Sequence, residues 1–369
     1  MPLLPRHRVE AAAFRARATG RFAVHPLAVS DRTRLTDDAV AITFAVPEEL
    51  RAAYRYDPGQ HLVILHAHAG AVARRSYSIC SSATGDELRI GVKRIPGGAF
   101  SPYATDSLRV GDVLHVMVPT GSFAVPFGGG GSRHYAAVAA GSGITPILSI
   151  VATALEVESD SRVTLLYGNR TRSSTMFLDE LQTLERCYPG RLALTHVLSR
   201  EDGADLGAIR GRIGHSVLDA VFGGQEVDEW FLCGPEVLME EIIDHLAGRG
   251  VEPDRVHREL FVSAVGAVAH VDDRPDIVSD VLVRLNGIET ELAVASRGDS
   301  ILAAALAVRD DLPYACLDGI CSTCRARVVQ GDVVMDRRSG LDRREVDEGY
   351  VLVCQAHPLT RTVVLDFDR

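Results

Sequence analysis

The chain has 369 residues, with 39 Lys and Arg against 49 Asp and Glu, a formal net charge of −10 and a hydrophobic content of 46%. That length outgrows a single hydrophobic core and implies two or three domains. The acidic balance argues against a nucleic-acid partner, which calls for a basic footprint.

Residues 1–21 are Arg-rich and nearly free of acids, as transit peptides are, but no apolar run follows the early arginines. The stretch is read as a disordered leader. From 22 to 131 the short runs AVAITFAV, HLVILHA, RRSYSIC, LRIGVKRI and VLHVMVP alternate with turn signals, the spacing of an antiparallel barrel or sandwich. On the third run Arg75 and Tyr77 share a face at period two. An aromatic ring there could stack on a flat ligand while the guanidinium meets a phosphate, and an ordinary exposed strand face is the competing reading. Gly97-Gly98-Ala99-Phe100-Ser101 is either a phosphate-cradling turn or a hairpin loop. The run GGGGS at 128–132 reads as a flexible joint.

Between 132 and 262 strand and helix patterns alternate: YAAVAAG, PILSIVATALEVE, VTLLYGN, FLDELQTLER, LALTHVLS, EWFLCGP, EVLMEEIIDHLAGRG and VHRELF. This predicts a parallel, doubly wound sheet with helices on both faces. Residues 136–155 carry no charge over a membrane-length span, but Gly141, Ser142, Gly143 and Pro146 divide them into strand, turn and helix start, so no membrane span is expected. Glycines in that turn let a ligand approach the backbone, and the helix start favours a phosphate; a plain tight turn is the alternative. Cys233 ends a strand whose carboxyl end faces the ligand crevice. Gly168, Asn169 and Arg170, followed by Arg172, lie where a ribose 2′-hydroxyl or 2′-phosphate is read.

Residues 263–280 have no clear period and are expected to be an interdomain linker. The final block, 281–369, opens with VLVRLNGIETELAV, where Asn286-Gly287 signals a hairpin. A helix is expected at about 300–308, and RARVVQG, YVLVCQ and TVVLDFD supply further strands. The arginine-rich stretch 335–350 reads as a solvated face. Cys80 and Cys187 read as small apolar residues.

Four cysteines dominate this block. Cys316-x4-Cys321-x2-Cys324, with Cys354 on a distant strand, offers three sulfurs from one loop and a fourth from elsewhere. Structural zinc sites usually combine two tight pairs, whereas this is the plant-type spacing of a [2Fe–2S] cluster. Zinc is the alternative metal. Clustered thiols point to a reducing, cytoplasmic compartment and away from a disulfide scaffold.

R-x-Y-S, GGAFS, GSGITP and CGP, in that order, resemble the ferredoxin-NADP reductase superfamily over nearly all of residues 22–369. The cysteine loop narrows the likeness to reductases with an appended plant-type ferredoxin. RYDPGQHL, RSYSIC, VKRIPGGAFS, YGNR, PYACLDG and VVLDFD resemble the reductases of phenylacetyl-CoA epoxidases, with those of steroid and aromatic-ring hydroxylases as near neighbours. The resemblance implies a multidomain fold: an antiparallel β-barrel for FAD, an α/β doubly wound nicotinamide domain and an α+β β-grasp ferredoxin domain. It also implies that Arg75, Tyr77 and Ser78 bind FAD, with Tyr77 on the isoalloxazine and Gly98 and Ser101 at its pyrophosphate. Gly141, Gly143, Thr145 and Arg170 would contact the coenzyme. Cys233 and Gly234 would lie beside its reactive ring, and Glu259 and Phe261 would close the flavin site. Cys233, Thr145 and Glu259 are the residues expected nearest the chemistry.

The expected activity is electron transfer from NAD(P)H, with NADPH favoured by the epoxidase relationship, through FAD and a [2Fe–2S] cluster to an oxygenase. A Rieske-type or steroid hydroxylase is the alternative acceptor, and a redox-inactive zinc-binding interaction protein is the alternative of another class. The cofactors carry this chemistry, so no catalytic histidine is expected among the 13 histidines.

Overall fold

Alternating apolar residues in the first block make a sheet with one dry face, and that sheet curls to bury it. In a computed structural model describing residues 22–123, 126–128, 132–261 and 274–369, the six strands are β1 (Val24–Thr36), β2 (Ala39–Ala45), β3 (His61–His68), β4 (Ala71–Ser78), β5 (Leu88–Lys93) and β6 (Val113–Thr120). They run antiparallel in the order β4-β3-β6-β1-β2-β5. Ile79, just past β4, bridges Ile90 of β5 and returns the sheet on itself. Leu27, Ile42, Leu62, Ile64, Ile90 and Val116 fill the barrel. A short helix α1 (Ser101–Asp106) follows the glycine turn after β5. Sequence reasoning passed over β1, because its second half carries Asp31 and Arg32 and a register shift between Val29 and Asp31 breaks the alternation. The leader, most of the linker and the centre of the GGGGS joint lie outside the described residues.

The second sheet comprises β7 (His134–Ala140), β8 (Arg162–Asn169), β9 (Leu192–Leu198), β10 (Ile209–Arg210), β11 (Glu229–Gly234) and β12 (Val256–Leu260). All are parallel, in the order β10-β9-β8-β7-β11-β12. The helices are α2 (Ile144–Val157), α3 (Leu178–Cys187), α4 (His215–Phe222) and α5 (Glu236–Gly248). Burial on both sides explains the near-continuous apolar β7. Its Tyr135, Ala137 and Ala139 join the core under α2, while Ala136 and Val138 join the core under α5. Strand order reverses at β7, so the crevice of this doubly wound sheet opens between β7 and β11. Helix α4 escaped the sequence reading because HSVLDAVF is little more than two turns long. Cys80 is buried as expected, but Cys187 is exposed at the end of α3.

The third unit comprises β13 (Val278–Leu285), β14 (Ile288–Ala295), β15 (Arg325–Gln330), β16 (Val333–Met335), β17 (Tyr350–Leu352), β18 (Ala356–Pro358) and β19 (Thr362–Asp366). Its main sheet is ordered β14-β13-β19-β15-β17, with β13 and β19 parallel, and β16 pairs with β18. Asn286 and Gly287 both have positive φ, 52° and 71°, as a tight hairpin turn between right-twisted strands requires. The Ser300 hydroxyl accepts the Ala303 amide at 3.3 Å and so starts α6 (Ile301–Leu306). Helix α7 (Arg343–Asp347) opens with a capping box between Asp342 and Glu345. Because β13 begins at Val278, the last residues assigned to the linker are strand. Polar Ser279 and Asp280 masked the apolar alternation that resumes at Val281.

The three units interlock. Arg89 of β5 pairs with Glu180 of α3 at 2.5 Å, and a Cβ on Gly91 of β5 would lie 2.5 Å from Thr145 Cγ2. Ala315, Cys316 and Cys321 of the cysteine loop pack into the barrel's own core. Arg74 of β4 donates to Leu312 O at 3.1 Å and lies 4.2 Å over the Tyr314 ring. Ile320 packs on the nicotinamide-type domain. The arginine-rich stretch is not simply a solvated face. Arg337 ion-pairs with Glu236, the first residue of α5, and Ser339 donates to the same carboxylate at 3.1 Å. Arg343 and Arg344, by contrast, are exposed. Arg337→Ala removes a partly buried pair and is expected to lower stability by about 1 kcal/mol, read as an earlier urea midpoint for the third unit.

Candidate functional site

The four cysteines of the pattern lie where the barrel meets the third unit, Cys316 and Cys321 against the barrel core and Cys324 and Cys354 in the core of the third unit. All are free thiols. Cys321 neighbours Cys316, and Cys324 neighbours Cys354. They form two pairs; among the described residues no three ligating side chains gather around one ion position. A binuclear cluster divides its sulfurs in that way, two to each iron. The Cys316 thiol is drawn below its usual range by the Cys321 hydrogen bond and by the Ile320 and Asp318 amides; the Asp318 amide lies 3.3 Å from the sulfur. Amides aimed at sulfur stabilise thiolate. Leu317, Gly319 and Ser322 have positive φ of 64°, 72° and 54°. The loop therefore bends away from ordinary L-residue geometry three times within six residues. Contacts from 319–340 hold those bends: Ser322 Oγ donates to Gly340 O, and the Gly340 amide donates to Gly319 O at 2.9 Å.

A second group of expected residues meets where the barrel faces the β7–β11 crevice. Ser78, at the end of β4, is buried and donates to Glu259 Oε2 at 2.8 Å. Glu259 on β12 stands in register with Cys233 on β11. Burial raises the Glu259 carboxyl from its usual 4.5 to about 7, and the Ser78 hydrogen bond opposes part of that rise. Burial likewise pushes the Cys233 thiol well above its usual range, so it is neutral and no nucleophile. The turn Gly141–Gly143 passes so close to β11 that a Cβ on Gly143 would lie 2.2 Å from Cys233 O. Thr145, buried at the start of α2, donates to Ser142 O at 3.0 Å. Phe261 donates its amide to Gly234 O at 3.2 Å.

A third group lies on the barrel beside α1. Tyr77 packs against Phe100 with ring centroids 5.5 Å apart. The Gly98 amide donates to Ile95 O at 2.9 Å, and Ser101 Oγ accepts the Ile95 amide at 3.0 Å. A Cβ on Gly98 would lie 2.8 Å from Ser101 Oγ. Arg75 is exposed on the same strand as Tyr77. Arg170 stands apart, exposed at the outer end of β8, where its carbonyl accepts the Arg200 amide at 2.8 Å. Sequence reasoning missed His61 and Thr323. They lie inside RYDPGQHL and the Cys321-x2-Cys324 spacing, but nothing local marks either side chain, and only the fold brings the start of β3 against the cysteine loop.

Comparison with known proteins follows the same three blocks. Residues 26–125 match the oxidoreductase FAD-binding domain, 137–244 the oxidoreductase NAD-binding domain, and 283–359 the 2Fe-2S iron-sulfur cluster binding domain. The chain is 42% identical to one component of the 1,2-phenylacetyl-CoA epoxidase of Escherichia coli K12, over 93% of this chain and 98% of that protein. The chain belongs to this reductase family. It is also 35% identical to the ferredoxin reductase component of the 3-ketosteroid-9-alpha-monooxygenase of Rhodococcus rhodochrous, over 92% of this chain and 96% of that protein. In fold it resembles phthalate dioxygenase reductase, with a TM-score of 0.57 and 24% identity over 93% of this chain and 98% of that one. It is thus an electron-transfer oxidoreductase with FAD-, NAD- and [2Fe–2S]-binding domains, and the zinc reading is set aside. Several relatives are reductase components of monooxygenases.

Two outcomes are expected. Gly143→Ala forces the β7–β11 crevice apart and lowers stability by about 1–3 kcal/mol, read by urea unfolding. Glu259 holds its proton in the folded chain up to about pH 7 but loses it near 4.5 when unfolded. Its contribution is therefore intact below about pH 4.5 and is lost as pH rises toward 7, by roughly 3 kcal/mol in all. Glu259→Gln flattens that part of the stability–pH curve.

Proposed function

We propose that the chain takes electrons from NADPH and delivers them to the oxygenase component of a phenylacetyl-CoA epoxidase. The observation that carries this reading is the cysteine loop set into the wall of the barrel, in a chain 42% identical to a component of that enzyme over nearly its whole length. When bound, FAD and the [2Fe–2S] cluster together convert a two-electron hydride donor into a source of single electrons.

The residues then divide the work. Tyr77 supplies an aromatic face and Arg75 a guanidinium for the flavin, while Gly98 and Ser101 shape the turn that receives its pyrophosphate. Gly141 and Gly143 let the coenzyme lie on the backbone, and Thr145 fixes the start of α2. Cys233 and Gly234 form the apolar floor beneath the reactive ring. Glu259 and Ser78 hold a proton at the edge of that site, and Phe261 covers it. Cys316, Cys321, Cys324 and Cys354 hold the irons. Arg170 and Arg172, just past β8, are compatible with a 2′-phosphate, and the epoxidase relationship favours NADPH. Free thiols throughout suit a reducing, cytoplasmic setting, and no described helix is long and apolar enough to cross a membrane. The 35% identity to a ketosteroid monooxygenase component supports a steroid hydroxylase as the second candidate acceptor.

Anaerobic NADPH is expected to bleach both flavin and iron–sulfur absorbance of the purified protein, at lower concentration than NADH does. Yellow flavin that persists under NADPH overturns the scheme. Cys321→Ser retains NADPH-to-dye activity but loses coupling to the epoxidase oxygenase. Coupling to a steroid hydroxylase alone identifies the other acceptor.

A further inference from the structure

Outside the residues assigned so far, one buried polar side chain touches all three units. His61 opens β3, is 2% exposed and is the cross-strand partner of Ser78. Its Nε2 lies 3.0 Å from Thr323 Oγ1, in the cysteine loop between Cys321 and Cys324. Its Nδ1 has no hydrogen-bond partner and faces Glu259 Oε1 at 3.9 Å. A Cβ on Gly121 would lie 3.0 Å from Nδ1, so the ring's place depends on a glycine there. Thr323 is 1% exposed, and its hydroxyl lies 3.3 Å from Cys321 Sγ.

The donor directions follow from chemistry. As an iron ligand, Cys321 is a thiolate, and its sulfur can only accept. The Thr323 hydroxyl has one proton, with Cys321 Sγ at 3.3 Å and Cys321 O at 3.5 Å as the two places to put it. If His61 Nε2 accepted from Thr323, that proton would leave the sulfur altogether. With the proton on Nε2, His61 donates to Oγ1, Thr323 donates to Cys321, and Nδ1 presents its lone pair to the Glu259 carboxyl. Every donor in the line then points toward the cluster sulfur.

We propose that His61 is a positioning residue for the cluster: its hydrogen bond to Thr323 pins the cysteine loop to the flavin barrel and aims the Thr323 hydroxyl at the Cys321 sulfur. The inference rests on the reading of the loop as a [2Fe–2S] site. Hydrogen bonds to cluster sulfur raise its reduction potential, and outer-sphere partners of this kind commonly change affinity or activity by 10- to 100-fold. His61 therefore links the electronics of the cluster to the wall of the flavin site, although it ligates no metal.

The test uses the purified holoprotein and three variants, His61→Phe, His61→Gln and Thr323→Val, each first assayed for FAD, iron and acid-labile sulfide. Midpoint potentials come from anaerobic redox titration followed by electron paramagnetic resonance, and the rate of cluster reduction by NADPH from stopped-flow absorbance. His61→Phe and Thr323→Val are expected to make the cluster potential more negative. His61→Phe slows cluster reduction about tenfold relative to flavin reduction. Gln carries an N–H near the position of Nε2, so His61→Gln restores both quantities toward wild type. A fourth variant, combining His61→Phe with Thr323→Val, is no worse than either single one, because the two residues act in one line. Wild-type potential and wild-type cluster reduction in a fully loaded His61→Phe protein overturn the proposal. So does a potential shift that His61→Gln leaves uncorrected. A wild-type protein without iron and sulfide fails at the earlier step, which separates failure of the underlying reading from failure of this one.

Discussion

The cysteine loop is built into the barrel's hydrophobic core, and the remaining architecture follows from that placement. Ala315, Cys316 and Cys321 belong to the same packed cluster as Leu62, Ile64 and Val116. Dense packing leaves little freedom for a loop to drift, so the first two sulfurs keep a constant relation to the strand that carries Tyr77. The other two, Cys324 and Cys354, belong to the core of the third unit. The four cysteines thus straddle a boundary between two cores.

That arrangement places polar groups where water has been removed. Ser78, His61 and Thr323 are buried, and half-buried Glu259 joins them from another sequence block at one junction. Buried polar groups are costly unless paired, and here a shared site explains the pairing. The backbone contact between Gly143 and Cys233 provides a rigid floor on the nicotinamide side, and Glu236 ties the start of α5 to Arg337 and Ser339 behind the cysteine loop. Each unit alone would leave some of these groups without partners.

What could be read from the sequence was what depends on local spacing. The cysteine pattern, the Asn286-Gly287 turn, the strand–helix alternation and the glycine turn before α2 all act within a few residues. Strand β1 was hidden because its exposed half is charged, and α4 because it is short. Arg337 looked like one more solvated arginine until the fold brought it to Glu236. His61 was illegible for the same reason. It lies 262 positions from Thr323 in the chain, and no local pattern encodes a contact at that range.

Strand order also bears on how such a molecule is assembled. In the third unit β19 lies between β13 and β15, while Cys354 sits between β17 and β18. The sheet therefore stays open in its middle until a late segment has been inserted between strands made earlier. Contacts of such wide separation form slowly. Until they do, thiols of the unfinished core are open to oxidation. Closure of the third unit's sheet is therefore expected to come late in its folding.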